Sequence, residues 1–293
     1  MRCQISGLVA ILLLLCGCSD LDLQKSGQCL VLEGWIEDGG FPVVLLTTSV
    51  PVSTEKQNLD SLAKHIVRWG KVTISDGEKE CVMTGGMDTR FIPPYSYTTA
   101  RMRGVAGKQY TVVAEYAGMS ATAVTTIPEP KKLEYLRVES VGPADTSFRI
   151  IAGLKDDRTS VDYYRFFVRK EGVDSAFYSS FLGLVSDDIL SAEVDEVPVY
   201  NCMTVTDTLY RQEFGSGDIV DIRFSTLDSN SWEYWSDFDA IQSLSMNPFF
   251  PVHKKIRSNV SSGMGYWAGY GSSYYRVSIA DSLALGRVWP AAD

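Results

Sequence analysis

From Cys29 onward apolar and polar positions alternate in short runs rich in Val, Ile, Thr and Tyr, separated by Gly, Pro, Asp and Ser. Successive side chains of a strand point to opposite faces, so a period of two predicts β-structure. The clearest unit is a hairpin over 109–116 and 119–127, with Tyr110, Val112, Ala114 and Tyr116 on one face and a turn at Ala117-Gly118. Gly118 supplies the positive φ that a tight hairpin turn requires. Further strands are predicted at 30–37, 43–49, 66–76 and 80–84, a set the size of a β-sandwich.

Pro128 and Pro130 then interrupt the pattern, because proline cannot donate to a ladder. A domain boundary is expected there, with 29–127 as the first domain, 128–132 as a Pro-containing linker and 133–293 as a second β-rich domain. Its predicted strands are 133–141, 147–154, 163–170, 176–182, 203–214 and 219–227. One helix is expected over 231–245, with Asn230 as N-cap and Glu233 completing a capping box. Tyr234, Trp235, Phe238, Ile241 and Leu244 recur at spacings of three and four, a stripe made to lie on a sheet. The fold class is therefore all-β: mainly β with one helix.

The first residues carry a different signal. Arg2 forms a short positive region, residues 5–15 are apolar, and Leu15-Cys16-Gly17-Cys18 reads as a bacterial lipobox. The expectation is a signal peptide over 1–17, a lipid anchor on the Cys18 thiol and a tether over 18–28. The apolar run 8–15 is far shorter than the roughly 20 residues of a membrane-spanning helix. Ser19 follows Cys18, with Asp20 and Asp22 close behind. The absence of an aspartate directly after Cys18 favours the outer membrane, and the acidic stretch resembles a surface-export signal, so cell-surface facing is expected, with a solvated tether facing the periplasm as the alternative.

With 27 basic against 36 acidic side chains, the net charge of -9 disfavours phosphate backbones, so no nucleic-acid partner is expected. Once the signal is removed and Cys18 lipidated, Cys29, Cys81 and Cys202 are left. An odd number cannot all pair; a Cys29–Cys81 bridge is permitted, and three small buried hydrophobes is the favoured reading. There is no GxSxG, P-loop, HExxH or calcium-loop spacing, and only His65 and His253 could serve as a histidine base. No catalytic residue, enzyme activity or cofactor is therefore expected. Gly263, Gly265 and Gly269 have GxGxxxG spacing without a strand-turn-helix unit, and read as a turn between two strands. The acids Asp187, Asp188, Glu193, Asp195 and Glu196 fall within ten residues and are weak candidates for a metal site, since carboxylates hold hard cations, although such runs are more often solvated loops.

Aromatic residues are dense towards the C-terminus, with twelve between Trp232 and Trp289. Amphipathic rings are favoured at recognition surfaces. Phe249, Phe250, Tyr266, Trp267 and Tyr270 are accordingly the candidate partner or ligand face, with burial beneath the helix as the alternative.

Several segments also carry a resemblance. Residues 30–36 (Leu-Val-Leu-Glu-Gly-Trp-Ile), 72–77 (Val-Thr-Ile-Ser-Asp-Gly) and 103–110 (Arg-Gly-Val-Ala-Gly-Lys-Gln-Tyr), then Asn247-Pro248-Phe249 and 256–260 (Ile-Arg-Ser-Asn-Val) with Gly263, Gly265 and Tyr270, resemble in order a family of Bacteroidota lipoproteins catalogued as domain of unknown function 4249. The resemblance implies an immunoglobulin-like β-sandwich followed by a second β-rich domain. It also implies that the chain accompanies a TonB-dependent outer-membrane transporter in nutrient capture, and it carries over no catalytic residue. The competing expectations are a structural or adhesive envelope lipoprotein and a surface hydrolase built around the acidic loop or His253.

Overall fold

The alternation is read out directly in β1 (Leu30–Glu37), whose residues are buried and half-buried in strict turn. The computed structural model describes residues 28–50, 63–141, 147–155, 161–190, 194–202, 211–245 and 255–279, and within them the chain is mainly β with one long helix. Cys18, Glu193, Phe249, Phe250 and His253 lie outside the described residues.

One sheet organises the rest. From edge to edge it runs β12 (Tyr178–Ser186), β11 (Tyr163–Lys170), β15 (Ile219–Leu227), β17 (Met264–Ser278), β1, β2 (Val43–Thr48), β6 (Tyr95–Thr98) and β5 (Thr84–Met87), eight strands in all. β1 and β17 pair in parallel, from Val31 opposite Met264 to Glu37 opposite Tyr270. The inner face of this sheet meets two smaller sheets. The five-stranded one is β16 (Val260–Ser261), β8 (Met119–Thr126), β7 (Gln109–Tyr116), β3 (Lys71–Ser75) and β4 (Glu80–Val82). In the four-stranded one, β10 (Ser147–Lys155) pairs with β9 (Tyr135–Ser140), β13 (Val194–Val199) and β14 (Phe214–Gly215).

The predicted hairpin forms as β7 and β8, with Tyr116 opposite Met119. Ala117 and Gly118 both have positive φ, 49° and 78°, as a type I′ turn demands. Tyr110, Val112 and Ala114 enter the first core beside Leu30, Leu32 and Ile36. A second core holds Ile150, Leu154, Phe166, Ile222 and Phe224.

The apolar cores divide near residues 128–132, but the hydrogen-bonded sheet does not. β17 returns to pair with β1, and its Trp267 belongs to the first core while its Tyr275 and Val277 belong to the second. The proline segment is a strap laid on β17 rather than a free tether. The Leu133 N–H donates to the Tyr275 hydroxyl at 2.7 Å, and the Ser273 hydroxyl donates to the Lys131 carbonyl at 2.7 Å. A Cβ on Gly271 would stand 2.3 Å from the Pro128 carbonyl oxygen, so the strap approaches β17 closely only because that position is glycine.

The helix, α1 (Ser229–Ser245), starts earlier than expected. Asp228, not Asn230, caps it: its Oδ1 accepts the Ser231 N–H at 2.8 Å while Oδ2 accepts the Thr125 hydroxyl at 3.0 Å. A capping carboxylate that also fixes a side chain of β8 ties the helix start to the tertiary structure. Of the glycines read as a turn between two strands, Gly263 does lie between β16 and β17, whereas Gly265 and Gly269 lie within β17, the longest strand among the described residues. No disulfide joins Cys29 and Cys81; Cys81 and Cys202 are buried, whereas Cys29 is only half-buried.

Candidate functional site

Period two gives β17 two chemically different faces. Trp267, Tyr275 and Val277 point to the inner cores. Tyr266, Tyr270 and Tyr274 line a cavity of about 700 Å³ on the outer face of the large sheet. The neighbouring strands supply Trp35 and Glu37 from β1, Arg223 from β15, and Phe167 and Arg169 from β11. α1 walls one side with Trp235, Phe238 and Gln242. The loop after β5 contributes Arg90 and Phe91, and the segment before β12 contributes Phe177. Eleven of the 21 lining residues are aromatic, so the walls offer ring faces and edges, with charged and hydroxyl groups set between them.

α1 is held to the sheet by a buried ion pair. Arg165, 1% exposed, donates to Asp239 through Nη1 at 2.9 Å and Nη2 at 2.8 Å and to the Ser179 hydroxyl through Nε at 2.8 Å, with its guanidinium 4.1 Å from the Trp235 ring. Trp235 Nε1 donates to the Tyr270 hydroxyl at 3.1 Å. Tyr234 stacks on Tyr266 with centroids 4.0 Å apart. These contacts fix the cavity wall before any ligand arrives.

The rings inside meet edge to face. Trp35 and Phe91 are 5.4 Å apart at 79°, and Phe177 and Tyr274 are 5.8 Å apart at 64°. Arg223, only 6% exposed, lies 4.0 Å from the Phe167 ring and 5.3 Å from that of Tyr270. The Tyr274 hydroxyl donates to Glu37 Oε2 at 2.7 Å. Burial pushes the Tyr270 phenol up to about 12, opposed by Arg223, and burial likewise raises Tyr266 and Tyr274. All three phenols stay protonated at neutral pH and act as neutral rings with hydroxyls.

Arg169 at the rim is held from behind. It donates to Asp221 Oδ2 through Nη2 at 2.7 Å, and Arg276 donates to Oδ1 of the same carboxylate at 2.7 Å. Burial pushes the Asp221 carboxyl up, but the two arginines outweigh it, and the net shift is downward. A folded pKa below the ordinary value of about 3.9 means that the pair stabilises fully above that pH and is lost as pH falls through the folded value. Asp221→Asn should therefore lower stability at neutral pH, with the difference from the parent chain vanishing in strong acid. Urea unfolding at both pH values measures this; an equal difference at both would remove Asp221 from the account.

Of the candidate face, Tyr266 and Tyr270 do line the cavity. Trp267 is corrected: it is 0% exposed on the opposite face, where its Nε1 donates to the Tyr110 carbonyl at 3.1 Å. Odd positions of β17 face inward, so rings adjacent in sequence go to different compartments. The residues missed by sequence reasoning are Trp35, Glu37, Phe167 and Arg223. Their signal was an aromatic or charged residue at outward positions of strands that are otherwise apolar.

Among the described residues the acidic run brings no metal site together. Asp187 Oδ2 accepts the Asp162 N–H at 2.5 Å, Asp188 is exposed, and Asp195 and Glu196 lie on β13. Glu196 accepts from Arg137 Nη2 at 2.8 Å and from the Tyr135 hydroxyl at 2.9 Å. Among the described residues no three His, Cys, Asp or Glu side chains converge as a metal site. His65 Nδ1 is 3.0 Å from the Thr48 hydroxyl oxygen, and His65 does not line the cavity.

The described residues thus form an all-β protein whose central sheet carries two cores on one face and an aromatic cavity on the other. The chain belongs to the family described as "Domain of unknown function (DUF4249)", whose model matches residues 19–276. No curated protein matches it.

Proposed function

We propose that the chain is an outer-membrane lipoprotein anchored through Cys18, facing the cell surface, and that it serves as accessory to a TonB-dependent transporter in nutrient capture. The cavity is where a captured small molecule rests. The observation that carries this reading is the cavity itself: its volume of about 700 Å³ lies within the usual range for small-molecule sites, and its walls are held in place by Arg165–Asp239 and Trp235–Tyr270. Pre-ordered walls lower the entropic cost of binding. The lipobox at Leu15-Cys16-Gly17-Cys18 supports the anchor.

The test is affinity purification of the tagged chain from native membranes, with identification of what accompanies it. A transporter is the expected companion; fimbrial or assembly proteins in its place would support the structural, adhesive reading. Cys18→Ala should move the protein out of the membrane fraction. Retention of that variant after a carbonate wash would remove the lipid anchor from the proposal.

A further inference from the structure

The arginines of the cavity region are not equivalent. Arg165 is satisfied by Asp239 and Ser179, and Arg169 by Asp221. Arg90 donates to Asp88 through Nε at 2.9 Å and Nη2 at 2.7 Å. Arg223 is different. It is 6% exposed, yet its Nε is buried without a partner, and its Nη1 lies 3.6 Å from Glu37 Oε2, beyond a good hydrogen bond. Glu37 Oε2 is meanwhile engaged by the Tyr274 hydroxyl.

A guanidinium stays charged at any ordinary pH and presents donors only in its plane. Rings of Phe167, Phe177 and Tyr270 lie within 4.0–5.5 Å of this one, so contacts to ring faces replace part of its water. Those contacts leave Nε without a hydrogen-bond acceptor. Leaving a buried charged donor unpaired is costly, and a carboxylate is the acceptor whose two oxygens match the guanidinium edge. The lining carries Arg90, Arg169 and Arg223 with one acid, Glu37; Asp88 and Asp221, outside the lining, hold Arg90 and Arg169, whereas Arg223 has Glu37 only at 3.6 Å and shares it with the Tyr274 hydroxyl.

We propose that the cavity takes a small molecule joining a planar aromatic ring system to a carboxylate, with the carboxylate on Arg223 and the rings against Trp35, Phe177 and Tyr274. This rests on the reading of the cavity as a capture site and adds the ligand's chemical class. Arg223 anchors the anion; the edge-to-face pairs around it leave ring faces for the ligand to stack on.

The test is isothermal titration of the purified full-length lipoprotein in detergent, against a detergent blank, with 2-naphthoate, its neutral isostere 2-naphthamide, and maltose as a polyhydroxylated probe without rings. Naphthoate should bind about tenfold or more tighter than naphthamide, the effect expected of charged hydrogen bonds. Arg223→Met should erase that difference. Arg223→Lys, which keeps the charge and the aliphatic stem, is the folded comparison should the methionine variant unfold, and should retain only part of the preference. Equal affinity for naphthoate and naphthamide in the parent chain would overturn the proposal. So would binding of neither naphthalene probe, or maltose binding indifferent to both substitutions. The capture reading fails separately, on the membrane purification, whatever the calorimetry shows.

Discussion

Trp267→Ala should cost about 3–5 kcal/mol of stability, the range for removing a large aromatic side chain from a core. The ring is 0% exposed among Leu30, Tyr110 and Val260, and it is the point where the last strand enters the first core. Its Nε1 also donates to the Tyr110 carbonyl at 3.1 Å, so truncation leaves both a cavity and an unpaired buried oxygen. Against a total of about 5–15 kcal/mol for an ordinary domain, the loss brings the protein close to unfolding. Urea denaturation at neutral pH measures it. Trp267→Phe, which keeps the ring volume in part, should lose distinctly less. An unchanged midpoint for Trp267→Ala, accompanied by loss of a partner, would return this residue to an interface role.

Gly265→Ala is expected to be comparably damaging for a backbone reason. Gly265 has φ +109°, a conformation L side chains rarely adopt, and a Cβ there would stand 1.9 Å from the Leu32 carbonyl oxygen. The substitution must therefore push β17 away from β1 at the start of their parallel ladder, where Leu32 is opposite Gly265. Strain of this kind costs about 1–3 kcal/mol, and the lost pairing adds to it. Gly118→Ala is the internal control, because that turn glycine has nothing within 4 Å of its added Cβ and pays only the φ penalty of about 1 kcal/mol. The comparison is read from the two thermal midpoints. Near-equal midpoints would show that β17 accommodates the methyl group and that the close crossing carries little of the stability.

The difference between these residues explains what could be read ahead of the structure. β1, β7 and β8 were legible because they alternate between turn residues and hairpin closure is local, and β10, β11 and β15 because they are short runs rich in β-branched and aromatic residues bounded by Gly or Asp. β17 was not, because Gly265, Gly269 and Gly271 look like turn residues in sequence while serving close approach within a strand. The cap at Asp228 was missed for a similar reason. Asn230 and Glu233 satisfy the local capping pattern, but the Thr125 hydroxyl, 103 residues away in sequence, holds the Asp228 carboxylate where it caps.

The cavity lay beyond sequence reasoning altogether. Its Glu37–Tyr274 hydrogen bond joins residues 237 apart, and its wall depends on an Arg165–Asp239 pair 74 apart. Period two states that Tyr266, Tyr270 and Tyr274 share a face, and their residue type states that this face is amphipathic; both follow from covalent geometry and side-chain chemistry along the chain. Whether that face is core, interface or cavity depends on which strands lie beside it and how far α1 covers it. Those are matters of long-range pairing, in which the parallel return of β17 to β1 sets Trp267 inside and places Tyr270 and Tyr274 beside Arg223 of β15 on the cavity wall.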